Sequence, residues 1–232
     1  WARTLLKWLN ASREDHKKGV DTIYIPSDYD FQHSFELYYQ DVEKRIKRGE
    51  YVGEEVSLDG GKISIRGIEG VMRLNSILTR MIYDRNIKKH PFFLEESYTI
   101  EWMYPYLEPA GIIMELCDHK VKITPEMVEK DTAYWDNLMK VFDNGGTLYF
   151  EDINNGRKGK VDVVAKEFFE DLTARKSFAK CRTAIGGLYE YHKMFKEAEK
   201  AYRDAIWLND MSAEAYMRLS NMLARNGREQ EG

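Results

Sequence analysis

Hydrophobic positions along this chain switch period several times, and each switch marks a change of element. Trp1, Leu5, Trp8, Leu9 and Ser12 share one face of an opening helix that ends near Gly19. Thr22-Ile23-Tyr24-Ile25 then reads as a short strand stopped by Pro26. Ser27-Asp28-Tyr29-Asp30 supplies N-cap oxygens for a second helix, whose stripe is Phe31, Phe35, Tyr38, Val42 and Ile46 and which Gly49 ends. Glu55-Val56-Ser57-Leu58 and Lys62-Ile63-Ser64-Ile65 alternate around Asp59-Gly60-Gly61, a pattern that predicts a hairpin.

Ile68, Val71, Leu74 or Asn75, Leu78, Met81 and Ile82 continue as a helix to about Arg85, which feeds the strand Phe92-Phe93-Leu94-Glu95. A strand, a crossover helix and a further strand favour parallel pairing with a right-handed connection. Ile112-Ile113-Met114-Glu115-Leu116 adds a last strand. The expected class is therefore α/β: a mixed, mainly parallel small sheet with flanking helices over residues 1–123. An all-α, tetratricopeptide-repeat-like tail is expected over 124–232.

The second part opens on Thr124-Pro125-Glu126, with proline at the first helical position, and Met127, Val128, Tyr134, Trp135, Leu138 and Val141 follow to Asp143-Asn144-Gly145-Gly146. Residues 147–160 read either as a small hairpin turned by Asn154-Asn155-Gly156 or as a loop. From Val161 onward the periodicity is helical. Between Ile185 and Asp210 the spacing matches the tetratricopeptide repeat, with Gly186 and Tyr189 on a first helix and Ala198, Tyr202 and Ala205 on a second. Small residues let the helices approach, while the tyrosines fill the space between them. Tyr216, 34 residues after Arg182, begins a second register. The tail thus reads as one repeat over about 179–212 and a half-repeat over about 213–232, with Val161–Phe178 as a preceding partner helix. Arg182, Lys193 and Asp210 depart from the repeat pattern, which prefers an aromatic residue, glycine and proline there.

Composition narrows the function classes. The 232 residues are 43% hydrophobic and 32% charged, as in a globular chain, and the formal net charge of -4 argues against nucleic acid as a partner. No window approaches the ~18 consecutive apolar residues of a membrane helix. The chain starts at Trp1 inside a helical pattern and ends in a turn-like Arg225-Asn226-Gly227-Arg228-Glu229, so it is expected to be a piece of something longer. Cys117 and Cys181 are far apart within apolar patterns and read as buried free thiols.

Candidate chemistry centres on PFFLEESYTIEWMYPYLEPAGIIMELC, Pro91 to Cys117, where two apolar runs bracket an acidic, aromatic loop. Glu95, Glu96 and Glu101 beside Trp102, Tyr104 and Tyr106 form a possible ligand groove, since carboxylates among aromatic rings are common in sugar-processing sites. The same rings serve equally to cap the sheet edge. Asp28-Tyr29-Asp30 has the form of a cation-holding DxD, but the helix start already demands its oxygens, and His33 reads as a surface helix residue. His16, His33, His90, His119 and His192 show no zinc spacing. Gly60-Gly61 and Gly145-Gly146 lack a phosphate-loop setting, and Ser64 and Ser97 lack a nucleophile elbow. No catalytic residue, metal site or cofactor is expected.

HPFFLEESYTIEWMYPYLEPAGIIMEL, preceded by GIEGVMRLNSILTRMIYDRN and followed by KCRTAIGGLY, resembles the soluble C-terminal half of large uncharacterised bacterial membrane proteins. Their multi-span N-terminal half is similar to protein O-mannosyltransferases, and they end in tetratricopeptide repeats. The resemblance covers about Ile23 to Asn226 and implies a non-catalytic accessory domain outside the cytoplasmic membrane. Its implied partners are an acceptor protein, a glycan or a neighbouring subunit. The family's catalytic aspartate lies in the membrane half, so no catalytic residue is carried over. Two alternatives stand beside this reading: a carbohydrate-active or transferase site in the loop at 95–106, and a plain repeat scaffold for protein–protein contact.

Overall fold

The computed structural model describes residues 17–18, 23–50, 52, 56–59, 62–95, 100–151 and 158–228. Nearly all of the expected opening helix, as well as Glu96, lies outside the described residues. The chain is mostly helical and divides into two compact units, residues 1–92 and 93–232.

In the first unit, helix α1 (Asp28–Lys47) and helix α2 (Gly67–Asn86) flank the hairpin of strands β1 (Val56–Asp59) and β2 (Lys62–Ile65) in sequence. α1 starts on a reciprocal capping box: Ser27 accepts from the Asp30 backbone N–H, and the Asp30 carboxylate accepts from the Ser27 N–H at 2.8 Å. The expected stripe of α1 holds at Tyr38 and Val42 only. Phe31, Phe35 and Ile46 are exposed, and the buried line runs through Asp30, Ser34, Tyr38, Val42 and Arg45. That line is rotated by about one residue because Asp30 and Arg45 are buried with polar partners, Ser27 and Asp41.

The strand expected at 22–25 is not one where it is described: residues 23–27 carry no regular structure. Asn86 occupies the backbone groups a strand partner would have used. Its Oδ1 accepts from the Tyr24 N–H at 2.6 Å and its Nδ2 donates to the Tyr24 carbonyl at 3.0 Å, so a side-chain amide mimics one rung of a sheet. Arg85 stacks over the Tyr24 ring, 4.3 Å from its centroid.

The second unit begins inside strand β3 (Phe92–Leu94), earlier than the boundary expected at residue 123. A 3₁₀ helix (Glu101–Tyr106) and the antiparallel strands β4 (Leu107–Ala110) and β5 (Ile113–Leu116) follow, with sheet order β3-β5-β4. Gly111 makes the β4–β5 turn at φ +71, a conformation that L side chains rarely adopt. Helix α3 (Pro125–Asn144) is capped by Thr124, whose side chain accepts from the Met127 N–H. Strands β6 (Gly146–Glu151) and β7 (Lys158–Val163) form a hairpin, so the helical reading from Val161 gives way to a strand. Helices α4 (Ala165–Glu170), α5 (Leu172–Tyr191), α6 (Phe195–Leu208) and α7 (Ala213–Arg225) complete the unit. α5 runs unbroken through Phe178 to Tyr191, so no separate partner helix spans Val161–Phe178.

The pairings β1 with β2, β4 with β5 and β6 with β7 are all antiparallel, which corrects the mainly parallel sheet. Only two to six residues separate the strands of each pair in sequence, whereas parallel neighbours need a crossover of a dozen or more residues. α2 does connect two strands, yet β2 pairs with β1 while β3 lies in another sheet, so it is no crossover within one sheet.

The second unit is centred on a buried ionic cluster. Arg182 of α5, 1% exposed, donates through Nη1 to Asp131 of α3 at 2.8 Å and through Nε and Nη2 to Asp204 of α6 at 3.1 and 2.9 Å. Its guanidinium lies 5.0 Å from the centroid of buried Trp135, and the Tyr189 hydroxyl donates to Asp131 at 2.8 Å. One planar fork thus ties three helices together, with a geometry that lysine cannot reproduce.

Candidate binding groove

The acidic-aromatic loop is held by backbone bonds: the Cys117 N–H donates to the Tyr106 carbonyl and the Val121 N–H to the Pro105 carbonyl, both at 2.8 Å. Glu95 is exposed just past β3, and Glu101 is exposed at the first position of the 3₁₀ helix. Trp102 and Tyr106 are half-buried and meet edge to face at 6.4 Å. Tyr104 leaves this pair and stacks on Tyr191 at the end of α5, with ring centroids 4.9 Å apart and planes 16° from parallel.

That stack borders a site at Gly186-Gly187. A Cβ on Gly186 would stand 2.6 Å from Cε1 of Tyr202, so α6 approaches α5 as closely as the expected small-residue packing requires. A Cβ on Gly187 would stand 3.3 Å from Nη1 of Arg218 and 3.5 Å from the Tyr104 hydroxyl. Gly187 is therefore where α5, α7 and the loop converge. Burial works against the Arg218 charge, but the hydrogen bond to Glu214 at 2.9 Å and the nearby tyrosine hydroxyls more than offset it. Burial, followed by the carboxylate of Glu190, pushes the Tyr202 hydroxyl well above the ordinary tyrosine range, and it donates to Glu190 Oε2 at 2.8 Å. Arg225 pairs with the other oxygen of Glu190 at 3.4 Å.

Gly187 is itself buried beneath Arg218 and the Tyr104 hydroxyl, so the stacked rings, the guanidinium and the carboxylates form a packed polar cluster, with Tyr191 46% exposed at its edge. Of the residues expected to pack the repeat, Ala198, Tyr202 and Ala205 are fully buried, and Tyr189 is buried but turned to Asp131 on α3. Tyr216 is 48% exposed.

Gly187, Glu190, Tyr191 and Arg218 escaped the reading of the chain. The available signal was the glycine pair in mid-helix, where each glycine costs about 1 kcal/mol against alanine and so calls for a packing or binding reason.

Asp28-Tyr29-Asp30 is a helix cap. Asp30 is 3% exposed and accepts from the Ser27 N–H, the Ser27 hydroxyl and the Tyr24 hydroxyl, with Arg85 at 3.1 Å. Burial opposes the Asp30 charge, but the hydrogen bonds from Ser27 and Tyr24 and the Arg85 charge outweigh it, holding the carboxyl well below the usual range. The Tyr24 hydroxyl is pushed up to about 12, by burial first and then by its bond to Asp30. Among the described residues no group of three or more His, Cys, Asp and Glu side chains could hold a metal ion, and no helix is long and apolar enough to cross a membrane. Comparison with protein-family models, with curated proteins and with solved structures gives no match in any of the three.

Proposed function

We propose that residues 93–232 are a non-catalytic binding module whose surface around the exposed Tyr191 ring takes an extended segment of an acceptor protein or partner subunit. The observation that carries this reading is the exposed Tyr191 ring, held in place by its stack on Tyr104 beside Arg218. Tyrosine and arginine are the residue types that concentrate binding energy at protein interfaces. Glu190 and Glu214 support a binding role over a hydrolytic one, because each is already engaged by a guanidinium. The resemblance to the soluble half of glycosyltransferase-like bacterial membrane proteins, with their repeat tail, supports an extracytoplasmic setting, attached to a membrane half that carries the chemistry.

The test is selection of peptides from a random phage library on the whole chain, followed by anisotropy titration with labelled peptides. Tyr191→Ala should weaken the selected peptides at least tenfold, and Arg218→Lys at least threefold, while circular dichroism stays unchanged. Failure to select any peptide, or affinities indifferent to both substitutions, refutes the proposed surface. Glycans retained on an array in a Tyr191-dependent manner would move the ligand from polypeptide to sugar.

A further inference from the structure

A concavity of about 490 Å³ is lined by residues of the β4–β5 turn, α3, the β6–β7 hairpin, α4 and α5. Its floor is aromatic and packed. Phe142 and Phe168 are buried and stack at 3.8 Å with planes 5° apart, and Phe178 tilts against Phe142 at 4.7 Å.

The hairpin supplies one wall. Leu148 pairs with Val161 across the strands, and both line the cavity together with Val163. Val161 remains 51% exposed, so an apolar wall stands open opposite a packed apolar floor. None of the side chains lining the cavity is charged. Its polar groups are few: the Thr147 hydroxyl is committed to Asp162 at 2.7 Å and Tyr149 is 81% exposed, which leaves Tyr134 and Asn137, one helical turn apart on α3, as the polar groups deeper in the cavity.

We propose that this cavity binds a single medium-length alkyl chain ending in an uncharged hydroxyl or carbonyl group. The volume gives room for roughly 16 heavy atoms at about 30 Å³ each, or about 10 to 13 once loose fit is allowed. The uncharged lining rejects an ionised head, whose desolvation nothing there would offset. A peptide would bring a backbone donor and acceptor with every residue, and the side chains of Tyr134, Asn137 and Tyr149 cannot satisfy that many. The hydrocarbon covers Val161, Leu148 and the phenylalanine floor, while its terminal oxygen meets the Tyr134 hydroxyl and the Asn137 amide.

The experiment is titration calorimetry of the whole chain with 1-decanol, with decanoate, and with the blocked peptide acetyl-Leu-Leu-Phe-amide as competitor. One saturable site for decanol is expected, at least tenfold tighter than for decanoate. Val161→Trp and Leu148→Trp, on the open wall, should reduce decanol affinity at least tenfold with unchanged circular dichroism. Tyr134→Phe, at a half-exposed position, should reduce it three- to tenfold. Absence of a saturable decanol site overturns the proposal, as do affinities within twofold for Tyr134→Phe and whichever tryptophan variants fold. Decanoate binding as tightly as decanol, or the peptide outcompeting decanol, would also overturn it.

Discussion

Replacing Arg182 by methionine gives the sharpest test of how residues 93–232 hold together. The substitution keeps the chain length and apolar stem but removes three hydrogen bonds and the cation over Trp135. Asp204 keeps Lys200, whose Nζ lies 3.2 Å from Oδ2. Asp131 fares worse. Its Oδ2 receives both Arg182 and Tyr189, and its Oδ1 is buried without a hydrogen-bond partner among the described residues. Without Arg182 that carboxylate retains one neutral donor and no cation at hydrogen-bond distance. Breaking a buried pair in this way costs about 3–5 kcal/mol, against a total stability of about 5–15 kcal/mol. Adding Asp131→Asn should recover about 1–2 kcal/mol of that loss, because the amide oxygen still accepts from Tyr189 and the uncompensated charge is gone. Urea unfolding of both variants, followed by helix circular dichroism, measures these differences. A loss below about 1 kcal/mol for Arg182→Met, or a further loss on adding Asp131→Asn, would refute the assignment of Arg182 as the charge that makes this core possible.

Gly186→Ala should lower stability by about 1–3 kcal/mol in thermal melts despite alanine's better helix propensity, since the new methyl meets the buried Tyr202 ring. A higher melting temperature would show that the ring yields. Asp30 carries a folded-state carboxyl below its unfolded value, so its contribution is present above about pH 4 and is lost as pH falls through the folded value. Asp30→Asn should therefore destabilise residues 1–92 by about 1–3 kcal/mol at pH 7 and flatten their acid-unfolding limb, as read by hydrogen exchange in α1 and α2. An unchanged limb would mean that other carboxylates govern it. Cys117 is buried and its thiol is pushed up to about 12, by burial first and then by Glu108, Glu115 and Asp118; Cys181 is buried as well. Neither thiol should react with an aromatic disulfide reagent at pH 8 until denaturant is added, so rapid native-state labelling of either would contradict this burial.

Local chemistry was legible wherever a residue acts within a few positions of itself. The caps at Ser27 and Thr124, the pairing of β1 with β2 and the α3 stripe at Trp135 and Leu138 follow from short-range hydrogen bonding and from the two side-chain periods. The close approach at Gly186 was legible too, because a glycine and a tyrosine at fixed helical spacing state their own steric purpose.

Tertiary structure decided everything that depends on what stands opposite. Periodicity tells which residues share a face and nothing about the partner, so the strands proved antiparallel and the α1 stripe rotated around buried Asp30 and Arg45. Arg182, an apparent departure from the repeat pattern, became a buried cation only because α3 and α6 bring Asp131 and Asp204 to it from 51 and 22 residues away. The convergence of Tyr104 and Arg218 on Gly187 and the cavity beside the β6–β7 hairpin arise likewise from residues remote in sequence. By itself, then, the sequence determined caps, turns, periods and the places where helices come close. Folding alone determined which strands pair, which charges meet and where ligands have room, because those outcomes are settled by long-range packing energies that no local pattern encodes.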